Sequence, residues 1–226
     1  GAERTLRATP PTSLLWVMSW LRILMATGKP ICSAAAAHSS ALVATTVFSR
    51  RPLLIDEVVQ LWQAQRFAEG RLWIPAPAHA EFFSFLHLVD VGERVYAQFP
   101  PGGPFMLWIG LLAGAPWLVG PACGAFSVLR FARLARAAEP AASERWVLGA
   151  TLLFALTPFG VFMFGSHMNH VTALLWLLVA VTSLVTLVGV APASGSDGKA
   201  EHVASHGVAV LPALGLGFGL GAAATI

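Results

Sequence analysis

The chain alternates apolar runs, each of about the length needed to cross a bilayer, with one long polar segment at positions 49–103, and this alternation limits the fold more than any motif does. Lipid accepts only backbone that satisfies its own hydrogen bonds, so each run that enters it must be helical. The runs fall at 31–48, 104–119, 117–135, 146–165, 171–190 and 207–226. A shorter run at 14–28 carries Arg22 and is read as an interfacial part of an N-terminal region, residues 1–30. The expected fold is therefore all-α: a polytopic transmembrane helix bundle, with 31–48 as the first span. Residues 49–103 form an extramembrane loop subdomain carrying a surface helix, and 104–226 hold the remaining helices.

Composition supports this solvent assignment. Only 11% of residues are charged and 56% are hydrophobic, with a mean hydropathy of +0.70, whereas soluble domains are about one-quarter charged. The net charge of +3 comes from basic residues scattered between apolar runs, so it reads as membrane orientation and excludes a nucleic-acid partner. Cys32 and Cys123 lie far apart in apolar surroundings and read as small packing residues. The sequence stops inside a glycine-rich apolar run with glycines at 215, 217, 219 and 221, so truncation is expected there, and those glycines allow close helix approach.

Two topologies fit 104–135. A single crossing places Arg130, Arg133, Arg136 and Arg145 on the cytoplasmic side, in keeping with the positive-inside rule. Two crossings, separated at Pro116 and Gly120-Pro121, move those arginines outside. Both put 49–103 on the non-cytoplasmic face.

Within the polar segment, Asp56 to Glu69 has helical spacing, with Val58, Leu61, Trp62 and Gln65 on one side and Gly70 as the stop. Asp56-Glu57 opens this helix. Two carboxylates meeting the positive end of a helix dipole serve either as a cap or as a base, and the residues alone leave both open. Glu81, His87, Tyr96 and Gln98, set among Pro75, Pro77 and several aromatics, could line a sugar pocket or simply pack a loop. Ser166-His167-Met168-Asn169-His170 is a polar cluster between two apolar runs, read either as a turn or as a metal or phosphate contact. No phosphate-loop pattern and no serine nucleophile elbow is present.

Taken in order, Asp56-Glu57, FAEGRLWIPAPAHAEFF, HLVD, VYAQFPPGGP, GAPWLVGP and LTPFGVFMFGSHMNHVTALL resemble the bacterial GT-C membrane glycosyltransferases, relatives of the protein O-mannosyltransferases and lipid A aminoarabinose transferases. The likeness runs over roughly positions 50–226. Two stretches depart from the family pattern, which is closer to Tyr-Ser-Gln-Tyr-Pro-Pro-Gly and Met-Ser-His-Pro where this chain has Tyr96-Ala97-Gln98-Phe99 and Met168-Asn169-His170-Val171.

The resemblance implies an enzyme of the bacterial inner membrane that moves a sugar from a polyprenyl-phosphate donor to a glycan, lipid or protein hydroxyl at the non-cytoplasmic face. It implies Asp56 as the base with Glu57 beside it, and Arg71, Arg94, His167 and His170 as candidate partners of the donor phosphate. It also implies a second outer loop beyond Ile226. The resemblance names no certain cofactor; a divalent metal at Asp56 is possible, though this stretch of chain shows no complete ligand set for it. The competing reading is a non-catalytic membrane protein or transporter segment in which the two acids only cap a helix.

Overall fold

The computed structural model describes residues 30–79, 82, 85–190 and 202–224; for 189–190 and 202–211 it describes the backbone alone. Among these residues there are eight α-helices and three short strands. In chain order they are α1 (Pro30–Thr46), α2 (Ile55–Ala68), β1 (Ile74–Pro75), β2 (Leu88–Asp90), β3 (Arg94–Ala97), α3 (Gly102–Leu112), α4 (Val119–Ala138), α5 (Glu144–Leu156), α6 (Pro158–Gly165), α7 (Asn169–Val190) and α8 (His202–Ala224). The region before Pro30, including the run at 14–28, lies outside the described residues.

Among the described residues two helices are long and apolar enough to cross a membrane: the stretch Pro116–Ala138, which contains α4, and the stretch Asn169–Val188 of α7. A third crossing results if α5 and α6, bent by 54° at their junction, act together. That bend is written in the sequence. Pro158 lacks the N–H that would continue α5, and the Thr157 hydroxyl caps the new helix by accepting from Gly160 N at 3.1 Å. The expected span 146–165 is therefore a broken helix.

The remaining spans also differ from expectation. α1 has 17 residues, several of them serine or threonine, and is not among the helices that meet the length and hydropathy of a span. α3 has 11 residues, so at 1.5 Å per residue it reaches about 16 Å, half of a hydrocarbon core. It ends at Gly114, whose φ of +70° turns the chain back toward Pro116. The stretch 104–135 thus holds one candidate crossing, as in the first of the two topologies.

Close backbone approaches fix which ends meet. A Cβ on Gly120, in the first turn of α4, would lie 2.5 Å from the carbonyl oxygens of Phe164 and Ser166. A Cβ on Gly103, at the start of α3, would lie 2.8 Å from Gln60 Oε1 and from Asn169 Cβ. The starts of α2, α3, α4 and α7 therefore gather at one end of the bundle. Arg130, Arg133 and Arg136 stand about 15 to 24 Å further along α4, at the other end.

The core between helices α1, α4, α5, α6 and α7 centres on Cys32, Cys123, Val128, Phe164 and Val171, and the two buried cysteines are not joined in a disulfide. α8 lies on α7 through Gly215 and Gly219: a Cβ on Gly215 would meet Ser183 Oγ at 2.5 Å, and one on Gly219 would meet Ala180 N at 2.8 Å. Gly217 and Gly221 face open space.

The polar segment folds against this bundle as α2 and a small antiparallel sheet of order β1-β3-β2. β3 is central, pairing Val95 with Ile74 and Ala97 with Leu88. The sheet departs from an all-α fold, but it is only two to four residues per strand. Helix α2 occupies the expected range and stops where Gly70 takes φ +71°.

Its orientation differs from the one that periodicity predicts. Glu57, Gln60, Gln63 and Ala64 face inward with Val59, whereas Val58 and Gln65 are exposed and Leu61 and Trp62 half-buried. Glu57 and Gln63 hold the helix in place because each satisfies backbone groups that have no partner of their own.

Candidate active site at the start of helix α2

The acidic pair splits into two roles, because neighbouring helical residues point about 100° apart. Glu57 is 3% exposed, and its carboxylate accepts from Leu53 N at 2.7 Å, Leu54 N at 3.4 Å and His167 N at 3.3 Å. It is half of a capping box, reaching back from the third helical position to the N-cap backbone; Leu54 at the N-cap has no acceptor to return. The same side chain ties α2 to the turn between α6 and α7. Glu57 is a structural cap and clamp.

Asp56 makes none of these bonds. It is about one-third exposed, and its Oδ1 lies 3.0 Å from His87 Nε2. His87 Nδ1 lies 3.4 Å from Gln98 Oε1, and the imidazole packs on Phe99 with ring centroids 5.1 Å apart. A protonated imidazole donates at both ends of this chain; a neutral ring donates to Asp56 and accepts from the Gln98 amide in its flipped orientation. His87 is held in the left-handed region, φ +66°, a conformation that costs a non-glycine residue about 1–3 kcal/mol. The β2-β3 pairing enforces it, with Gln98 N donating to His87 O at 2.8 Å where the two strands meet. Among the described residues, Asp56 Oδ2 has no protein partner, so an oriented carboxylate presents one oxygen to solvent.

Other expected residues are distributed unevenly. Arg94, Tyr96 and Gln98 alternate onto the exposed face of β3 and its continuation, while Val95 and Ala97 point inward. Arg94 stacks on Trp73 at 4.5 Å. Arg71 follows the C-terminal end of α2, about 20 Å of helix away from Asp56, and is not brought to it. Glu81 lies outside the described residues. His170 is exposed in the first turn of α7.

His167 is buried behind the start of α2. Burial lowers its pKa below the usual 6.5, opposed by the nearby Glu57 carboxylate. Among the described residues neither of its ring nitrogens has a protein partner, and neither has the amide of Gln60, which is fully buried. Glu57, Gln60 and His167 thus form a buried polar core under the exposed Asp56-His87-Gln98 chain.

Periodicity follows the apolar residues of α2 and passes over Gln60 and Gln63. Their signal is the spacing itself: Glu57, Gln60 and Gln63 recur every three residues and so lie on one stripe. Gln63 Oε1 accepts from Ala97 N at 3.0 Å and its Nε2 donates to Leu72 O at 2.9 Å, so a single side chain joins α2 to the sheet. Arg50 is a further cation of this end that no sequence pattern singles out; its guanidinium lies 4.8 Å over Trp117.

Beside the site is an apolar cleft of about 560 Å³ between α2 and the sheet, walled by Val58, Trp62, Phe82, Phe85 and Val95, with Asp90 at its edge. Among the described residues no three His, Cys, Asp or Glu side chains converge as metal ligands; Asp56 with His87 offers two. No protein-family model matches the chain, and neither a curated protein nor a solved structure matches it.

Proposed function

We propose that the protein is a polytopic membrane glycosyltransferase of the GT-C kind, with Asp56 as the general base. In this reading α4, α7 and the bent α5-α6 pair cross the bacterial inner membrane, with α2 and the small sheet on the non-cytoplasmic face and the α4 arginines on the cytoplasmic face. The single observation carrying the proposal is the division of labour in the acidic pair. Glu57 accounts fully for the cap, which leaves an adjacent, solvent-reaching carboxylate that is oriented by His87 and has no structural duty. That pattern removes the main argument for reading Asp56 as a cap.

The chemistry follows from the groups present. The acceptor hydroxyl gives its proton to Asp56 as its oxygen bonds to the anomeric carbon. The bond from that carbon to the polyprenyl phosphate breaks, and the phosphate leaves with the electron pair. Phosphate leaves without protonation, so one base is sufficient. His87 fixes the carboxylate orientation through Oδ1 and acts as a positioning residue. Arg50, whose guanidinium lies over Trp117 near the start of α4, takes the place of the distant Arg71 as a cation for the donor phosphate, and Arg94 on the exposed face of β3 is a second. The cleft walled by Trp62, Phe82 and Phe85 suits an acceptor with an apolar or sugar face.

The test is reconstitution of the full-length protein in proteoliposomes with a panel of radiolabelled polyprenyl-phosphate monosaccharides and lipid or peptide acceptors. Label transferred to an acceptor is expected with at least one donor. Folded protein that neither binds nor consumes any polyprenyl-phosphate sugar would overturn the proposal and leave the non-catalytic reading.

A further inference from the structure

An apolar groove of about 480 Å³ runs between α3, α4 and α7, from the first turns of α4 toward the arginines near its C-terminal end. Ile109, Ala122, Phe126 and Trp176 are among the residues that line its length, and Arg130 and Arg133 line it toward the C-terminal end of α4. Among the described residues no acidic side chain lines it. The α4 residues recur at helical spacing from Ala122 to Arg133, so the groove follows one face of that helix for about 16 Å. Its walls include both helices that are long and apolar enough to cross a membrane, so in a bilayer its open side meets lipid.

Arg136, one turn further on, is engaged elsewhere. It donates to Ala142 O and pairs with Glu144, closing the α4-α5 connection. Arg130 and Arg133 line the groove and Arg136 does not. From this charge complementarity we infer that the groove is a binding site for one anionic glycerophospholipid, with an acyl chain along α4 and the phosphate against Arg130 and Arg133. A planar guanidinium pairs with phosphate in two-pronged fashion, and basic pockets between helices at the cytoplasmic face hold anionic headgroups. The inference rests on the sidedness proposed above for α4 but not on the catalytic role proposed for Asp56.

The test uses Trp176 as the reporter. The protein is placed in phosphatidylcholine nanodiscs containing a minor fraction of brominated-chain phosphatidylglycerol, or the same fraction of brominated phosphatidylcholine. The Trp176 signal is the difference between the wild type and Trp176→Phe. Phosphatidylglycerol is expected to quench that signal at about tenfold lower mole fraction than phosphatidylcholine. The preference should vanish in Arg130→Gln/Arg133→Gln and persist in Arg136→Gln.

Raising the salt concentration on the unmutated protein should weaken the preference, which keeps the test valid if the double variant fails to fold. Equal quenching by the two lipids would mean annular lipid only and would overturn the inference. Displacement of phosphatidylglycerol by inorganic phosphate alone would mean an anion site without a lipid tail, and would overturn it as well.

Discussion

Helix α2 and helix α7 are built on opposite rules. α7 buries Val171, Leu175, Leu178 and Val179 and leaves Leu177, Leu184 and Val188 exposed, so it is apolar all round, as a helix bathed in hydrocarbon must be. α2 turns Glu57, Gln60 and Gln63 inward and leaves Val58 exposed. Different forces therefore hold the two regions. α7 and α8 adhere because two glycines let backbones touch, whereas α2 is tied down by side chains that reach for unpartnered backbone N–H and C=O groups. The second device fixes position to within a hydrogen bond, as the base proposed one residue from Glu57 would require.

The contrast is most exposed to mutation at Glu57. Glu57→Ala leaves the N–H groups of Leu53 and His167 without their acceptor in a buried site and is expected to lose about 3 kcal/mol, read as the largest drop in thermal stability in detergent. Next comes α8. Gly219→Val drives a side chain into Ala180 and the Trp176 carbonyl and should cost about 1–3 kcal/mol, while Gly217→Val, facing open space, should be close to neutral. Equal effects at the two glycines would mean that α8 does not pack as described.

A smaller loss is expected from Gln63→Leu, which keeps the bulk but strands Ala97 N and Leu72 O. It should cost about 1–2 kcal/mol and should raise hydrogen exchange at Ala97 while leaving α7 unaffected.

The smallest effect is one of pH. Burial favours neutral His167 in the folded protein, so below its ordinary value of 6.5 the unfolded chain binds more protons than the folded one. Stability should therefore fall as pH drops through and below that value. His167→Asn should flatten the slope over that window.

The helices are legible in the sequence because long apolar runs can do little else in lipid, and the end of α2 is legible because Gly70 is the residue that adopts φ +71° without strain. The Pro116 break is legible for the same kind of local reason. The crossing pattern around α3 is not, since eleven apolar residues read as hydrophobic whether they lie across the bundle end or enter it. The inward face of α2 is hidden because periodicity weighs hydrophobicity, and here the buried face is polar. Asp56 and Glu57 cannot be told apart by sequence. Only the folded chain separates a carboxylate that accepts three backbone N–H groups from one that meets His87, which lies 31 residues further along the chain.

One paired measurement tests that separation. Rate of the proposed sugar transfer per folded molecule and melting temperature are compared for Asp56→Asn and Glu57→Gln in the protein. Asp56→Asn is expected to melt near the unmutated protein and to lose about 10²-fold or more in rate, the cost of a missing general base. Glu57→Gln should melt lower and keep a rate within a few-fold for the molecules that remain folded. Normal turnover in Asp56→Asn, with the chemistry lost in well-folded Glu57→Gln, would contradict the division of roles between the two acids.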